Sequence, residues 1–488
     1  MEDASGSLHA VGDFEEEEGR DDRYRPVCCS DRGIRGLGSE GFQPVADAAR
    51  SRGKSPGNVN VPWEKKSGTD RLGLGWRLVL SVKTVSDVAV VGGGPAGSFA
   101  TLNLVRHGAS VTVFEEHGEI GVPCHCAGHL SIKGLKTLGL WPLPKGIVEN
   151  TFRAASFFSP NGRQFTVRFP SPVTCVVNRS LFDKHIAEMA EAAGAEYRLD
   201  ARVESLIMEN DLVKGVVVNQ DGKVETERAK IVVDAEGISP RLLKQTVLAS
   251  MNRRMVANGV EAEVENVRDV ELDAVEVFLG TDYAPGLYAW LIPKRDGTAK
   301  VGLGASRGNP IELLQRFMHK HPVASRQLAK VLVLRKSFHP VTLGGSIAQA
   351  YCGGFLAVGD VASQVKPTTG GGVVLGLTCA RIAADVVGEA LATNDFSSRS
   401  LSMYQKRCAG FLGFDMRVML RIRRMFNSLS DSQLDDLIAF GARFGVDKVL
   451  SRVGDIDLQG RALLRVLPSV RTMAALSYFL WLCACANP

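Results

Sequence analysis

Gly92, Gly94 and Gly97 belong to one run, Gly92-Gly93-Gly94-Pro95-Ala96-Gly97, directly after the apolar stretch at residues 87–91. In such a run the first glycine permits a tight turn, the second lets backbone amides approach a pyrophosphate, and the third lets a helix pack against a sheet. The start of that helix, around Ala96, faces the anion with unpaired amides. Glu115 closes a second apolar stretch, residues 110–114, where a carboxylate binds ribose hydroxyls. Strand, glycine turn, helix, strand and acid form a dinucleotide-binding unit, which by itself does not separate a nicotinamide from a flavin.

Other chemistry-bearing residues lie far away in the chain. Ala357-Val358-Gly359-Asp360 is followed by Lys366-Pro367-Thr368-Thr369-Gly370-Gly371-Gly372, and a third segment reads Val233-Asp234-Ala235-Glu236-Gly237. Cys126, in Cys124-His125-Cys126-Ala127-Gly128, is either a proton relay beside a glycine turn or a small packing residue. Cys124, His125, Cys126 and His129 are types that bind metals, but their crowding and the lack of a partner CxxC argue against structural zinc. Arg417, Arg421, Arg423 and Arg424, interleaved with apolar residues, describe a basic amphipathic helix. It would rest on anionic lipid, grip a substrate phosphate, or be a solvated surface helix, the last being the reading that composition favours.

The elements that must position these residues follow from periodicity. Residues 156–169 read as a hairpin turning at Asn161-Gly162, and residues 178–194 as a helix opening at Asn178-Arg179. Strands are expected over 202–219, 230–234, 258–265, 274–280, 287–293 and 300–305, the later ones forming a β-rich region able to wall a pocket. A small-residue helix should follow Gly372, and the chain from 401 to 486 reads as helical. The expected class is α/β: a Rossmann-like domain from 85–150, 176–255 and 346–395, a β-sheet substrate domain from 151–175 and 256–345, and a helical C-terminal region, 396–488. Residues 1–84, with an acidic run at Glu15–Glu18, read as a disordered extension.

The 488 residues are 45% hydrophobic and 23% charged, with a net charge of +5 too diffuse to argue for a nucleic-acid partner. Ten cysteines without regular spacing suit a reducing compartment. No run approaches a bilayer-spanning length and the start lacks a secretory pattern, so a cytoplasmic protein is expected.

Taken in order, the Gly92, Val233 and Gly359 segments resemble the cofactor motifs of FAD-dependent oxidoreductases with the hydroxybenzoate-hydroxylase type of fold. Gly121-Val122-Pro123-Cys124-His125-Cys126-Ala127-Gly128 and Pro285-Gly286-Leu287-Tyr288-Ala289-Trp290-Leu291-Ile292-Pro293 narrow the likeness. With Val365–Gly372 they resemble the geranylgeranyl reductase family, over about residues 86–393, and most the archaeal enzymes that saturate digeranylgeranylglycerophospholipids. The resemblance implies FAD held by Gly92, Gly94, Ala96, Gly97, Glu115, Cys126, Ala127, Arg179, Glu236, Asp360, Gly371 and Gly372. Glu236 stands where the family has Asp. It further implies a prenyl pocket at Pro285, Tyr288, Trp290 and Pro293, with Ile292 replacing the family's Phe. Cys126 assists reduction by implication, as hydride passes from reduced flavin N5 to a geranylgeranyl C=C bond of a phospholipid or of geranylgeranyl diphosphate. No second nucleotide unit is visible, so electrons would come from ferredoxin, a deazaflavin or transient NAD(P)H. A lipid substrate implies peripheral membrane contact. The alternatives are a flavin hydroxylase of the same fold and a flavin electron carrier.

Overall fold

A run of apolar residues such as Val88–Val91 needs both faces covered, and the strand that carries it, Ser86–Val91, lies inside a sheet accordingly. In the computed structural model, which describes residues 86–486, it pairs in parallel with Val111–Phe114 and Lys223–Asp234. The segment read as a disordered extension lies outside the described residues. Phe355–Ala357 and Glu196–Arg198 extend the parallel set at either side. Val91 registers with Phe114 and Asp234, and Asp234 with Ala357, so four strands end along one edge. Ligands of open parallel sheets sit beyond that edge. Gly92, Glu115, Glu236 and Asp360 all follow one of these ends within three residues.

The helix Pro95–Arg106 packs on this sheet and against the helices Arg179–Ala192 and Val373–Thr393. A Cβ on Gly97 would meet the Gly92 carbonyl at 2.0 Å, so only glycine lets the helix come this close to the turn. The hairpin Ala201–Glu209 with Leu212–Gln220 joins the same sheet antiparallel to Lys223–Asp234.

A second, seven-stranded sheet runs in the order Leu332–Thr342, Val256–Glu265, Ala299–Ala305, Ala289–Pro293, Ala274–Phe278, Ala154–Phe158, Gln164–Arg168. The helix Pro310–Lys320 buries Leu313, Leu314 and Phe317 on one face, where Phe158 stacks on Phe278 at 4.8 Å and Phe317 meets Phe278 edge-on at 4.9 Å. The other face is left to wall a cavity. Leu332–Thr342 was not expected from sequence. It is an edge strand with Leu332, Leu334 and Phe338 exposed and Pro340 within it, so it has neither clean alternation nor a proline-free run.

A small third sheet, His129–Ser131, Thr174–Val177 and Val148–Phe152, anchors the cysteine loop at its C-terminal end. From Ser398 onward the chain is mostly helical: Ser398–Phe426, Asp431–Arg443, Asp447–Leu450, Gln459–Val466 and Val470–Cys485. In the longest of these, Tyr404 and Arg423 are roughly 28 Å apart along the axis. Tyr404 sits under the cofactor-side sheet and Arg423 at the cavity.

Candidate active site

Between the sheet edge, the second sheet and the C-terminal helices lies a cavity of about 970 Å³. Of the cofactor residues expected from sequence, Gly94, Ala96, Cys126, Ala127, Arg179, Asp360, Gly371 and Gly372 line it, drawn together from five separate segments. Gly92, Gly97, Glu115 and Glu236 stand behind the wall. Glu115 Oε2 accepts from the Gly93 amide at 2.7 Å, beside the turn. Glu236 Oε1 accepts from the Leu242 amide at 2.9 Å with Arg241 nearby, and burial pushes its carboxyl above the usual range.

FAD can be tested against this edge. No side chain caps the helix at Gly94 or the helix at Gly372, so both N-termini keep amides for an anion or a carbonyl. A Cβ on Gly94 would point into open space, the room a pyrophosphate needs. The Asp360 carboxylate receives no hydrogen bond among the described residues; burial raises its pKa, with His339 and Arg179 pulling it back. Two uncapped helix starts, an unpartnered acceptor and an open cradle fit FAD.

The cysteine loop borders the same space. The Gly128 amide donates to Cys126 Sγ at 3.5 Å, and the Cys124 thiol points to the Cys126 carbonyl at 3.9 Å. Lys300 Nζ donates to the Ala127 carbonyl at 3.1 Å and pairs with Glu149 at 3.0 Å, fixing the loop from below. Burial opposes charge on Arg179, yet Asp183, bonded through two nitrogens at 3.0 and 2.8 Å, holds its guanidinium charged. No cluster of metal-binding side chains occurs among the described residues.

Strand alternation sorts the Pro285–Pro293 segment. Tyr288, Trp290 and Ile292 point into the cavity, whereas Ala289 and Leu291 enter the sheet's core. Pro285 and Pro293 do not line the cavity. They bracket the strand, the Pro285 carbonyl accepting from the Ser306 amide and that of Pro293 from Asn150 Nδ2. The Tyr288 hydroxyl donates to the Thr369 carbonyl at 2.8 Å, tying this wall to the glycine-rich loop, and burial pushes its phenol up to about 12. Trp290 Nε1 donates to Glu261 Oε2 at 3.2 Å, and a Cβ on Gly302 would strike the indole at 2.5 Å. Deeper walls are apolar, with Phe157, Phe165, Phe426, Ile438 and Phe440.

Sequence reasoning missed Glu261, His339 and the burial of Arg423. Glu261 alternates with core residues of its strand, a pattern that reads as solvent-facing; here the solvent side is the cavity, and burial raises its carboxyl to about 7. His339 stacks on His125 at 5.9 Å from the unforeseen edge strand. Lys366 Nζ bonds Asp457 at 2.9 Å, joining the glycine-rich loop to the C-terminal region. Arg417, Arg421 and Arg424 are exposed as expected of a solvated helix, but Arg423 faces inward at 5% exposure. Its heptad neighbours Met416 and Met419 mark that buried face.

A family model described as an FAD binding domain matches residues 85–411. Digeranylgeranylglycerophospholipid reductase 2 of Methanopyrus kandleri is 34% identical over 357 residues, covering 72% of this chain and 89% of that protein. A solved geranylgeranyl bacteriochlorophyll reductase-like protein from Thermoplasma acidophilum superposes with a TM-score of 0.72 at 26% identity, over 81% of this chain and 99% of that one. A flavin-dependent brominase shares the fold at a TM-score of 0.62 and 19% identity, over 81% and 99% of the two chains. With its cofactor edge and apolar cavity joined as described, the chain belongs to the FAD-binding digeranylgeranylglycerophospholipid reductase family.

Proposed function

We propose that the protein saturates isolated C=C bonds of geranylgeranyl chains carried on a phospholipid or on a diphosphate. The observation that carries this reading is the continuity of a long apolar cavity with the cofactor edge, across the Tyr288–Trp290 wall. An unactivated alkene offers no hydrogen bonds, so burial and shape must select and position it. FAD held by the helix starts at Gly94 and Gly372 and by Asp360 would supply the two electrons that an alkene carbon takes up as hydride. Tyr288 and Trp290, held at 6.0 Å and 67° to each other, press the chain flat against that edge. Cys126 delivers the proton to the other carbon from its thiol and takes a proton back from solvent before the next turnover, with Arg179 lining the same space. Gly92, Gly97, Glu115 and Glu236 shape the nucleotide cradle, and Pro285 and Pro293 set the strand that carries the aromatic wall.

The electron donor is external: ferredoxin, a deazaflavin or NAD(P)H. Among the described residues no helix is long and apolar enough to cross a membrane. Peripheral contact is supported by the helix Val470–Cys485, which exposes Val470, Met473, Leu480 and Trp481 while Ala475 lines the cavity. The test is anaerobic: chemically reduced enzyme should be reoxidised by digeranylgeranylglycerophospholipid and not by its fully saturated counterpart. Reoxidation by neither, with oxygen restoring the spectrum and yielding a hydroxylated product, would move the protein to the hydroxylase reading.

A further inference from the structure

Four cationic side chains are buried in the described structure: Lys294, Lys300, Lys366 and Arg423. Lys294 pairs with Glu149 and Glu263, Lys300 with Glu149, and Lys366 with Asp457. Arg423 has no carboxylate among the described residues. Its Nη1 donates to the Pro367 carbonyl at 3.2 Å and its Nη2 to Ser306 Oγ at 3.4 Å, while Nε is buried without a partner. Burial alone accounts for a guanidinium held down at about 10. A buried charge satisfied only by neutral oxygens is costly unless a counter-ion completes it.

The cavity supplies the place for that ion. Arg423 lines it, as does Asn427 one helical turn on, and their neighbours Ile422 and Phe426 are apolar. A long apolar volume carrying one uncompensated cation is complementary to a long-chain amphiphile with a single anionic group. Resting on the prenyl-reductase reading above, we propose that Arg423 is the anchor for the phosphate of the prenyl substrate, assisted by Asn427. Because Arg423 also touches Pro367, in the loop that carries Gly371 and Gly372, an anchored head fixes which stretch of the chain lies across the cofactor edge.

The test compares binding of geranylgeranyl monophosphate, geranylgeraniol and inorganic phosphate to the FAD-loaded protein by titration calorimetry, followed by turnover. The wild type should prefer the monophosphate to the alcohol by about tenfold or more, and inorganic phosphate should compete only weakly because it lacks the chain. Arg423→Gln should erase that preference, Arg423→Lys should restore part of it, and the exposed neighbour Arg424→Gln should leave it unchanged. A wild type that binds both prenyl compounds alike overturns the anchor. So does an Arg423→Gln protein that weakens both equally, or that loses FAD while retaining the preference. Phosphate preference without any alkene reduction leaves the anchor standing and sinks the reductase reading instead.

Discussion

At the residue scale, the site combines a thiol, a guanidinium and a carboxyl on one cavity wall or another. Cys126→Ser keeps the size of the side chain and the Gly128 contact but weakens proton delivery. Alkene reduction should fall by about tenfold or more with FAD content unchanged, read by single-turnover absorbance. An unaltered rate would remove the thiol from the chemistry. Glu261 gives a pH dependence. Its carboxyl, raised by burial to about 7 against the opposing pull of Lys300 and the Trp290 indole, is neutral below that pH and charged above it. Ionisation puts a negative charge in the apolar cavity, so kcat/KM for an anionic prenyl substrate should fall as pH rises through about 7. Glu261→Gln should flatten that limb. Stability follows the same sign: between 4.5 and about 7 the folded state holds the proton longer than the unfolded chain, so stability declines as pH rises across this window, and less so in Glu261→Gln. Thermal melts at several pH values check this.

At the element scale, the loop after Phe355–Ala357 depends on the long C-terminal helix. Gln364 Oε1 accepts from the Gly359 amide at 2.8 Å, Gln364 Nε2 donates to the Tyr404 hydroxyl at 2.7 Å, and that hydroxyl donates to the Ala357 carbonyl at 2.9 Å. Tyr404→Phe leaves a buried donor and a buried carbonyl short of partners, at a cost of about 1–3 kcal/mol. The melting temperature should drop, and FAD should dissociate more readily because Asp360 sits in the freed loop. Retained stability and cofactor affinity would contradict this coupling. The same elements show what was legible in the sequence. The glycine turn at Gly92 was readable because an apolar strand precedes it and an acid closes the next strand, so local spacing carried the information. Tyr288 and Trp290 were singled out only by the likeness of their segment to the geranylgeranyl reductase family, and both face the cavity. Glu261, His339 and Arg423 were not. Each owes its meaning to a surface contributed by another element: the cavity side of the second sheet, an edge strand that carries Pro340, and a helix whose inward face is set by tertiary packing.

At the scale of the whole molecule, three bodies of structure meet at one space: the parallel sheet brings strand ends and uncapped helices, the second sheet an aromatic wall, and the C-terminal helices an apolar floor with one cation. The last helix also turns apolar side chains outward next to the cavity. Replacing both Met473 and Trp481 with Ser should lower co-sedimentation with phosphatidylglycerol vesicles several-fold while leaving FAD content intact. Unchanged sedimentation would place the membrane contact elsewhere. The central claim is that this joined space saturates prenyl chains, and product mass tests it most directly. After one anaerobic turnover of chemically reduced enzyme with digeranylgeranylglycerophospholipid, the lipid should gain one pair of hydrogens for each flavin reoxidised. Lipid recovered at its starting mass, with the flavin still reduced, would contradict the account.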